Sequence, residues 1–149
     1  MVKTEIKKEA DGSLHVIVVG KIDEHFDGSD IVAAANGARK VVLKMDGVRS
    51  ISSLGVRALE AFMQSLGERD VELEEISAAM ANQVTMIPNL LGSAHVRSAK
   101  LPFVCPSCGA EGVYSVPYET NAATSHAPSC SGCNHKMDFD GFSEEYLPR

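Results

Sequence analysis

The chain has 149 residues, 44% of them hydrophobic, which is enough for one ordinary domain or for a domain of roughly 100 residues with a small appendage. Its net charge of −6 gives no electrostatic reason to expect binding to nucleic acid or to an anionic membrane. No apolar run approaches the roughly 18 residues of a membrane span, and the charged first residues do not form a signal peptide, so we expect a soluble, cytosolic protein.

The start of the chain predicts a hairpin followed by a short helix. Residues 2–9 alternate weakly between charged and apolar side chains, as in an edge strand. Asp11 and Gly12 form a turn signal that pairs this strand with residues 14–19. Residues 14–19 are apolar on almost every position, which predicts a central strand covered on both faces. Small apolar residues at 31–35 then predict a short helix.

The middle of the chain carries the strongest pattern. The apolar run 41–45 predicts a buried strand, and a polar turn is expected to begin at Asp46. Residues 54–66 form an amphipathic helix, because apolar residues recur at three- and four-residue steps opposite charged ones. Ser52 and Ser53 precede this helix, so one of their hydroxyls is expected to cap its first turn.

The remaining elements complete an alternating order of strands and helices. Residues 71–74 predict a half-buried strand, 78–87 a helix, and 95–99 a last short strand. The alternation predicts an α/β fold with a mixed, mostly parallel sheet, packed helices and a hairpin at the start. We assign residues 1–101 to this domain and residues 102–149 to a small C-terminal unit.

The turn before the central helix, residues 51–56 with the sequence ISSLGV, resembles the phosphoacceptor motif of the STAS domain family, whose founding members are bacterial anti-sigma-factor antagonists. The family pattern is an apolar residue, Asp, a phosphorylatable Ser or Thr, a small residue, Gly and an apolar residue. Ser53 falls on the phosphoacceptor, Gly55 on the glycine and Ser52 on the aspartate. The chain departs from the pattern at Ser52, which has no carboxylate, and at the bulky Leu54. The resemblance implies the same α/β architecture.

This resemblance implies a non-enzymatic regulatory protein that switches partners when Ser53 is phosphorylated, with a serine-kinase anti-sigma factor or a phosphatase as the partner. The alternative is a constitutive scaffold, such as an accessory subunit of a lipid-handling ABC transporter, that docks without phosphate. The serines can also be simple helix caps that are never modified. Both binding functions use one candidate face, which comprises Ser50, Ser52, Ser53, Leu54, Gly55 and Arg57. The sequence leaves open which serine is modified.

Two CxxC pairs near the C-terminus form the most specific chemical pattern. They comprise Cys105, Cys108, Cys130 and Cys133. This spacing predicts one tetrahedral zinc ion with four sulfur ligands, rather than a redox dithiol or unpaired thiols. Residues 113–116 and 137–139 are predicted strands, which together with the cysteines give a zinc ribbon. Four thiolates leave no open coordination position, so the zinc is expected to be structural, in a unit too small for its core alone.

The C-terminal unit carries six acidic residues against Lys136 and Arg149, a net charge of −4. Contact with a phosphate backbone is therefore disfavoured, and we expect a protein partner. Residues 120–129 predict an exposed loop between the cysteine pairs. The chain contains no Ser/His/Asp set, phosphate-binding GxxxxGK[ST] loop or HExxH helix, so we expect neither an enzymatic activity nor a small-molecule substrate.

Overall fold

The computed structural model describes residues 2–148, which form two β-sheets and four α-helices. In chain order the elements are β1 (Val2–Lys8), β2 (Ser13–Ile22), α1 (Ser29–Ala35), β3 (Lys40–Ile51), α2 (Ser53–Leu66), β4 (Val71–Glu74), α3 (Ala78–Met86), β5 (His95–Val96), β6 (Ser98–Val104), β7 (Glu111–Pro117), α4 (Ala122–Ser125) and β8 (Asp138–Phe139), followed by a 3-10 turn over Ser143–Glu145. The first sheet has the strand order β1-β2-β3-β4-β5 and the second has the order β7-β6-β8.

The first sheet confirms the predicted mixed, mostly parallel α/β arrangement. The β1–β2 hairpin is antiparallel, whereas β2–β3, β3–β4 and β4–β5 are parallel. Alternate residues of the central strands are fully buried, and they stand in register: Leu14 pairs with Val41, and Leu43 pairs with Leu73. Helices α1 and α2 contact β2 and each other, so the apolar face of α2 closes this core.

Strand β2 is covered on one face only, so the prediction of a doubly covered strand is wrong. Leu14, Val16 and Val18 are buried, but Ile17 and Val19 are 38% and 44% exposed. β-Branched residues suit the pleated backbone whether or not the face is covered, and an apolar run therefore does not show how many faces are buried.

Strand β3 continues through the predicted turn at Asp46 and ends only at Ile51. Gly47 lies opposite Val19, beside an irregularity in the register of β2. A Cβ at Gly47 would lie 2.8 Å from Cγ2 of Val19, so the glycine makes room for the neighbouring side chain. The Asp-Gly pair is thus a crowded strand position rather than a turn, and Ser50 belongs to the strand.

The two sheets share one continuous hydrophobic core. The predicted strand over 95–99 is divided, because β5 ends at Val96 and β6 enters the second sheet at Ser98. The chain stays attached to the first sheet there, since the Lys100 N–H donates to the Ile76 carbonyl at 2.8 Å. Buried residues on both sides of this crossing belong to one cluster. The division of the chain after residue 101 stays a prediction.

The predicted exposed loop at 120–129 is wrong in part, because it contains helix α4. Ala122 and Ala123 of this helix are 0% and 6% exposed. Two small apolar residues carry too little periodic signal to separate a buried helical turn from a loop. His126 follows α4 and lies 3.0 Å from a carboxylate oxygen of Glu119 on the surface.

Candidate partner-binding surface and metal centre

Ser52 caps helix α2, which confirms the expected capping role. Its Oγ accepts a hydrogen bond from the Gly55 N–H at 3.0 Å, and its own N–H donates to the Ile22 carbonyl at 3.0 Å. Serine and aspartate are comparable N-caps. Replacing the family's aspartate with Ser52 therefore keeps the cap but removes a negative charge from the surface. The first turn of α2 contains no acidic residue.

Ser53 is the first residue of α2, and it is exposed. The capping contact is made by Ser52, so the side chain of Ser53 is not needed to hold the helix start. The helix is 14 residues long, and the partial positive charge of its first turn favours an anion at this position. The geometry thus presents a hydroxyl to solvent where an added phosphate is electrostatically tolerated.

The other residues of the candidate face divide into exposed and buried members. Ser50 is exposed at the end of β3, Leu54 is 53% exposed, and Arg57 is exposed one helical turn later. Gly55 is buried beneath them. The exposed side chains can contact a partner directly, whereas Gly55 acts through the position of the helix.

Gly55 sets how closely α2 approaches β2. A Cβ at this position would lie 2.1 Å from the Ile22 carbonyl oxygen, which is backbone and cannot move aside like a flexible side chain. The same carbonyl accepts from the Ser52 N–H, so the strand end and the helix start are held together at one point. Glycine is therefore required where the sequence resemblance placed the family's glycine.

Gly55→Ala is expected to lower the free energy of unfolding by about 1–3 kcal/mol, because the added methyl forces the helix start away from Ile22. Urea unfolding measures this change. Ser65→Ala, on the exposed side of the same helix, is the matched control and should change stability by less than about 0.5 kcal/mol. Equal stability of Gly55→Ala and the wild type would show that the close contact is not needed.

A groove between α1 and α2 adjoins this face, and sequence reasoning did not find it. It has a volume of about 450 Å³ and is lined by Phe26, Val32, Ala58, Ala61 and Phe62, among others. The rings of Phe26 and Phe62 pack edge to face with centroids 5.4 Å apart. The sequence signal for this groove was the pair of small residues Ala58 and Ala61, three positions apart on α2. Such residues leave a hollow only when a second helix lies opposite them.

The four cysteines come together from two tight turns. Cys105 and Cys108 lie between β6 and β7, while Cys130 and Cys133 lie between α4 and β8. Their Sγ atoms all lie within 4.8 Å of one another, with 3.3 Å between Cys105 and Cys133 and 3.6 Å between Cys108 and Cys130. Four sulfurs at 2.3 Å from a tetrahedral zinc lie about 3.8 Å apart, so this cluster fits such an ion.

The two turns have the same backbone design. The Gly109 N–H donates to the Cys105 carbonyl at 2.9 Å, and the Asn134 N–H donates to the Cys130 carbonyl at 2.8 Å. Gly109 and Asn134 have φ values of +77° and +65°, the left-handed conformation that glycine and asparagine adopt most easily. The residue after each CxxC pair therefore allows the chain to fold back around the sulfurs.

Backbone donors favour thiolates in this cluster. The Cys108 N–H, with the Ser107 N–H, lowers the pKa of Cys105 to about 6 despite its burial. The N–H groups of Cys133 and Gly132 likewise lower the pKa of Cys130.

Cys108 behaves in the opposite way. Although the Ala110 N–H favours its thiolate, the sulfurs of Cys130 and Cys105 outweigh that donor and raise the pKa of Cys108 to about 11. Four thiolates so close together repel one another unless a cation lies between them. The donor set therefore suits a thiophilic divalent cation.

A comparison with protein-family models matches the STAS domain over residues 5–81, from β1 into α3. The chain belongs to the STAS domain family. STAS domains mediate protein–protein interactions, and the family motif at Ser53 lies inside the matched range. A comparison with curated proteins gives no match. The cysteine cluster of this STAS protein lies beyond the matched residues.

Among the helices described within residues 2–148, none combines the length and the hydrophobicity that a bilayer crossing requires.

Proposed function

We propose that this STAS protein is a non-enzymatic regulatory binding module that switches protein partners through phosphorylation of Ser53. The supporting observation is that the two serines at the start of α2 differ in their contacts. Ser52 makes the capping hydrogen bond, and Ser53 is exposed beside it. A phosphate on Ser53 adds a charge of about −1.5 to −2 and three acceptor oxygens at a helix N-terminus. The fold tolerates that group, while a partner seated on the neutral surface is repelled.

The chemistry of the surface is compatible with the partner that the family resemblance implies. Leu54 offers an apolar contact and Arg57 a cation within one turn of Ser53. A serine-kinase anti-sigma factor would bind this surface and transfer phosphate to Ser53, and a phosphatase would restore the hydroxyl. The protein then acts as an anti-sigma-factor antagonist in a bacterial cell.

An in vitro kinase assay with such an anti-sigma factor and ATP tests this proposal. We expect phosphate on the wild type and on Ser50→Ala, and none on Ser53→Ala. Ser50 is the matched control because it is an exposed serine next to the same helix start. Labelling of Ser53→Ala at the wild-type level would contradict the proposal.

The second candidate function is a constitutive scaffold, such as an accessory subunit of a lipid-handling ABC transporter. The uncharged Ser52 and the 53% exposed Leu54 favour it, because both make the surface suited to a permanent apolar contact. A scaffold binds equally well whether or not Ser53 can accept a phosphate.

We also infer that the four cysteines hold one structural zinc ion and that residues 102–149 form a zinc ribbon. The close sulfur positions and the backbone donors to Cys105 and Cys130 support a tetrahedral thiolate site. Zinc bound there would fix the two turns to each other. Metal analysis of freshly purified protein is expected to give one zinc per chain.

A further inference from the structure

Strand β1 is the outermost strand of the first sheet, and its backbone edge has a defined pattern. The Glu9 N–H donates to the Ser13 carbonyl at 2.9 Å, so the pair Glu9–Ser13 is hydrogen-bonded across the hairpin. Hydrogen-bonded pairs alternate in an antiparallel ladder. The odd-numbered residues of β1 therefore direct N–H and C=O toward β2, and Val2, Thr4, Ile6 and Lys8 direct theirs away from the sheet.

The charges on this strand alternate in sign along one face. Lys3, Glu5 and Lys7 are exposed, and Nζ of Lys7 lies 3.7 Å from a carboxylate oxygen of Glu9. On that face Lys3 and Glu5 lie beside Val19 and Ile17 of β2, which are partly exposed, and Lys7 lies beside His15. A second strand added to the free edge of β1 would therefore meet this charge pattern, whereas Ile17 and Val19 lie one strand further from that edge.

We propose that two copies of this chain pair antiparallel through β1, with the two-fold axis at Ile6. In this register the outward backbone groups of Ile6 face Ile6 of the second copy, and those of Thr4 face Lys8. The odd-numbered residues lie between these backbone pairs. Glu5 therefore lies opposite Lys7 of the second copy, and Lys3 lies opposite Glu9. By symmetry each pair occurs twice, which gives four opposite-charge pairs across the interface.

Charge selects this register over its neighbour. Moving the axis to Glu5 keeps the backbone pairing but places Glu5 against Glu5 and Lys3 against Lys7, all like charges. Charges on edge strands block indiscriminate pairing. Here their alternation blocks one register and favours another, so the edge fits a second copy of itself.

The opposite face of the edge is compatible with this register. Thr4 borders a depression of about 420 Å³ that is also lined by Asp23, His25, Asp27 and Asp30. In the proposed dimer Lys8 of the second copy lies opposite Thr4 on this face. Lys8 of the second copy therefore lies at the end of the edge where these acidic residues are found.

Analytical ultracentrifugation of the full chain tests the proposal. We expect a dimer in the wild type and at least roughly tenfold weaker association in Glu5→Lys, where two attractive pairs become repulsive. The double variant Glu5→Lys with Lys7→Glu exchanges the two charges, so it should regain wild-type association. Glu68→Lys changes the net charge equally on an exposed residue after α2 and should leave the dimer unchanged.

Several outcomes would overturn the proposal: a monomeric wild type at the highest concentrations measured, a dimer that survives Glu5→Lys, or a double variant that stays dissociated. The double variant would also stay dissociated if the axis lay at Thr4, because Lys3 would then face the introduced positive charge at position 5. Thermal melting of each variant at low concentration confirms that the chain is folded. The dimer does not depend on Ser53, so its failure leaves the phosphorylation proposal unaffected.

Discussion

Removal of the metal is expected to unfold the second sheet and to lower the melting temperature of the whole protein by more than about 10 °C. Structural zinc contributes roughly 10–16 kcal/mol of apparent binding free energy in small domains, and about 1 kcal/mol corresponds to 2–4 °C in a chain of this size. Cys105 and Cys130 are 1% and 3% exposed and belong to the core that both sheets share. Loosening the two cysteine turns therefore also disturbs the first sheet.

Calorimetry before and after treatment with a strong chelator measures this effect. The variant Cys105→Ser should reproduce it without a chelator, and added zinc should restore the melting temperature of the chelated wild type. Ser131→Ala is the control, because Ser131 lies in the second cysteine turn but offers no ligand. An unchanged melting temperature after complete metal removal would show that the ribbon is held by its core alone.

Acid is expected to weaken metal binding as the pH falls below about 6. Backbone donors lower the pKa of Cys105 to about 6, so its thiolate predominates at neutral pH and is lost as the pH falls below that value. Metal binding requires thiolates, so protons compete with the ion more strongly as the pH falls, and protonation of Cys105 adds to that competition below about 6. A colorimetric chelator of moderate affinity should extract more zinc at pH 5 than at pH 7.5. Equal release at both values would contradict the prediction.

Ser53→Asp is expected to weaken partner binding at least tenfold, whereas Ser53→Ala should bind like the wild type. The carboxylate places a negative charge beside Leu54, where the partner must exclude water. The helix itself should not be harmed, since an acidic residue in the first turn is favourable to its dipole. Titration calorimetry with the serine-kinase anti-sigma factor measures the two affinities.

Ser65→Asp controls for the added charge, because Ser65 is exposed near the far end of the same helix. It should bind the partner like the wild type. If Ser53→Asp and Ser53→Ala bind with equal affinity, the surface is a constitutive contact and the scaffold is the better description.

Local patterns predicted those parts of the fold that local interactions determine. The periodicity of residues 54–66 and the hydroxyl of Ser52 specify a capped helix without help from distant residues. The order of strands and helices along the chain, which can also be seen from local patterns, predicted the mixed sheet. At the cysteines, the CxxC spacing predicted that each turn brings its own two sulfurs together, whereas the approach of the two turns to each other is a tertiary contact.

Features that depend on distant neighbours were not predictable in the same way. Asp46 and Gly47 have turn-forming residue types, but pairing with β2 keeps them in a strand. Whether Ile17 is buried depends on what covers the far face of the sheet. The groove between α1 and α2 likewise exists only because the two helices pack side by side, which residue patterns do not encode.

Phosphosite mapping by mass spectrometry, on protein isolated from its native cell under several growth conditions, tests the central claim most directly. The account predicts a phosphorylated fraction with the phosphate on Ser53, and no phosphate on Ser52, whose hydroxyl caps α2. Peptides covering residues 50–57 that carry no phosphate under any condition would contradict it.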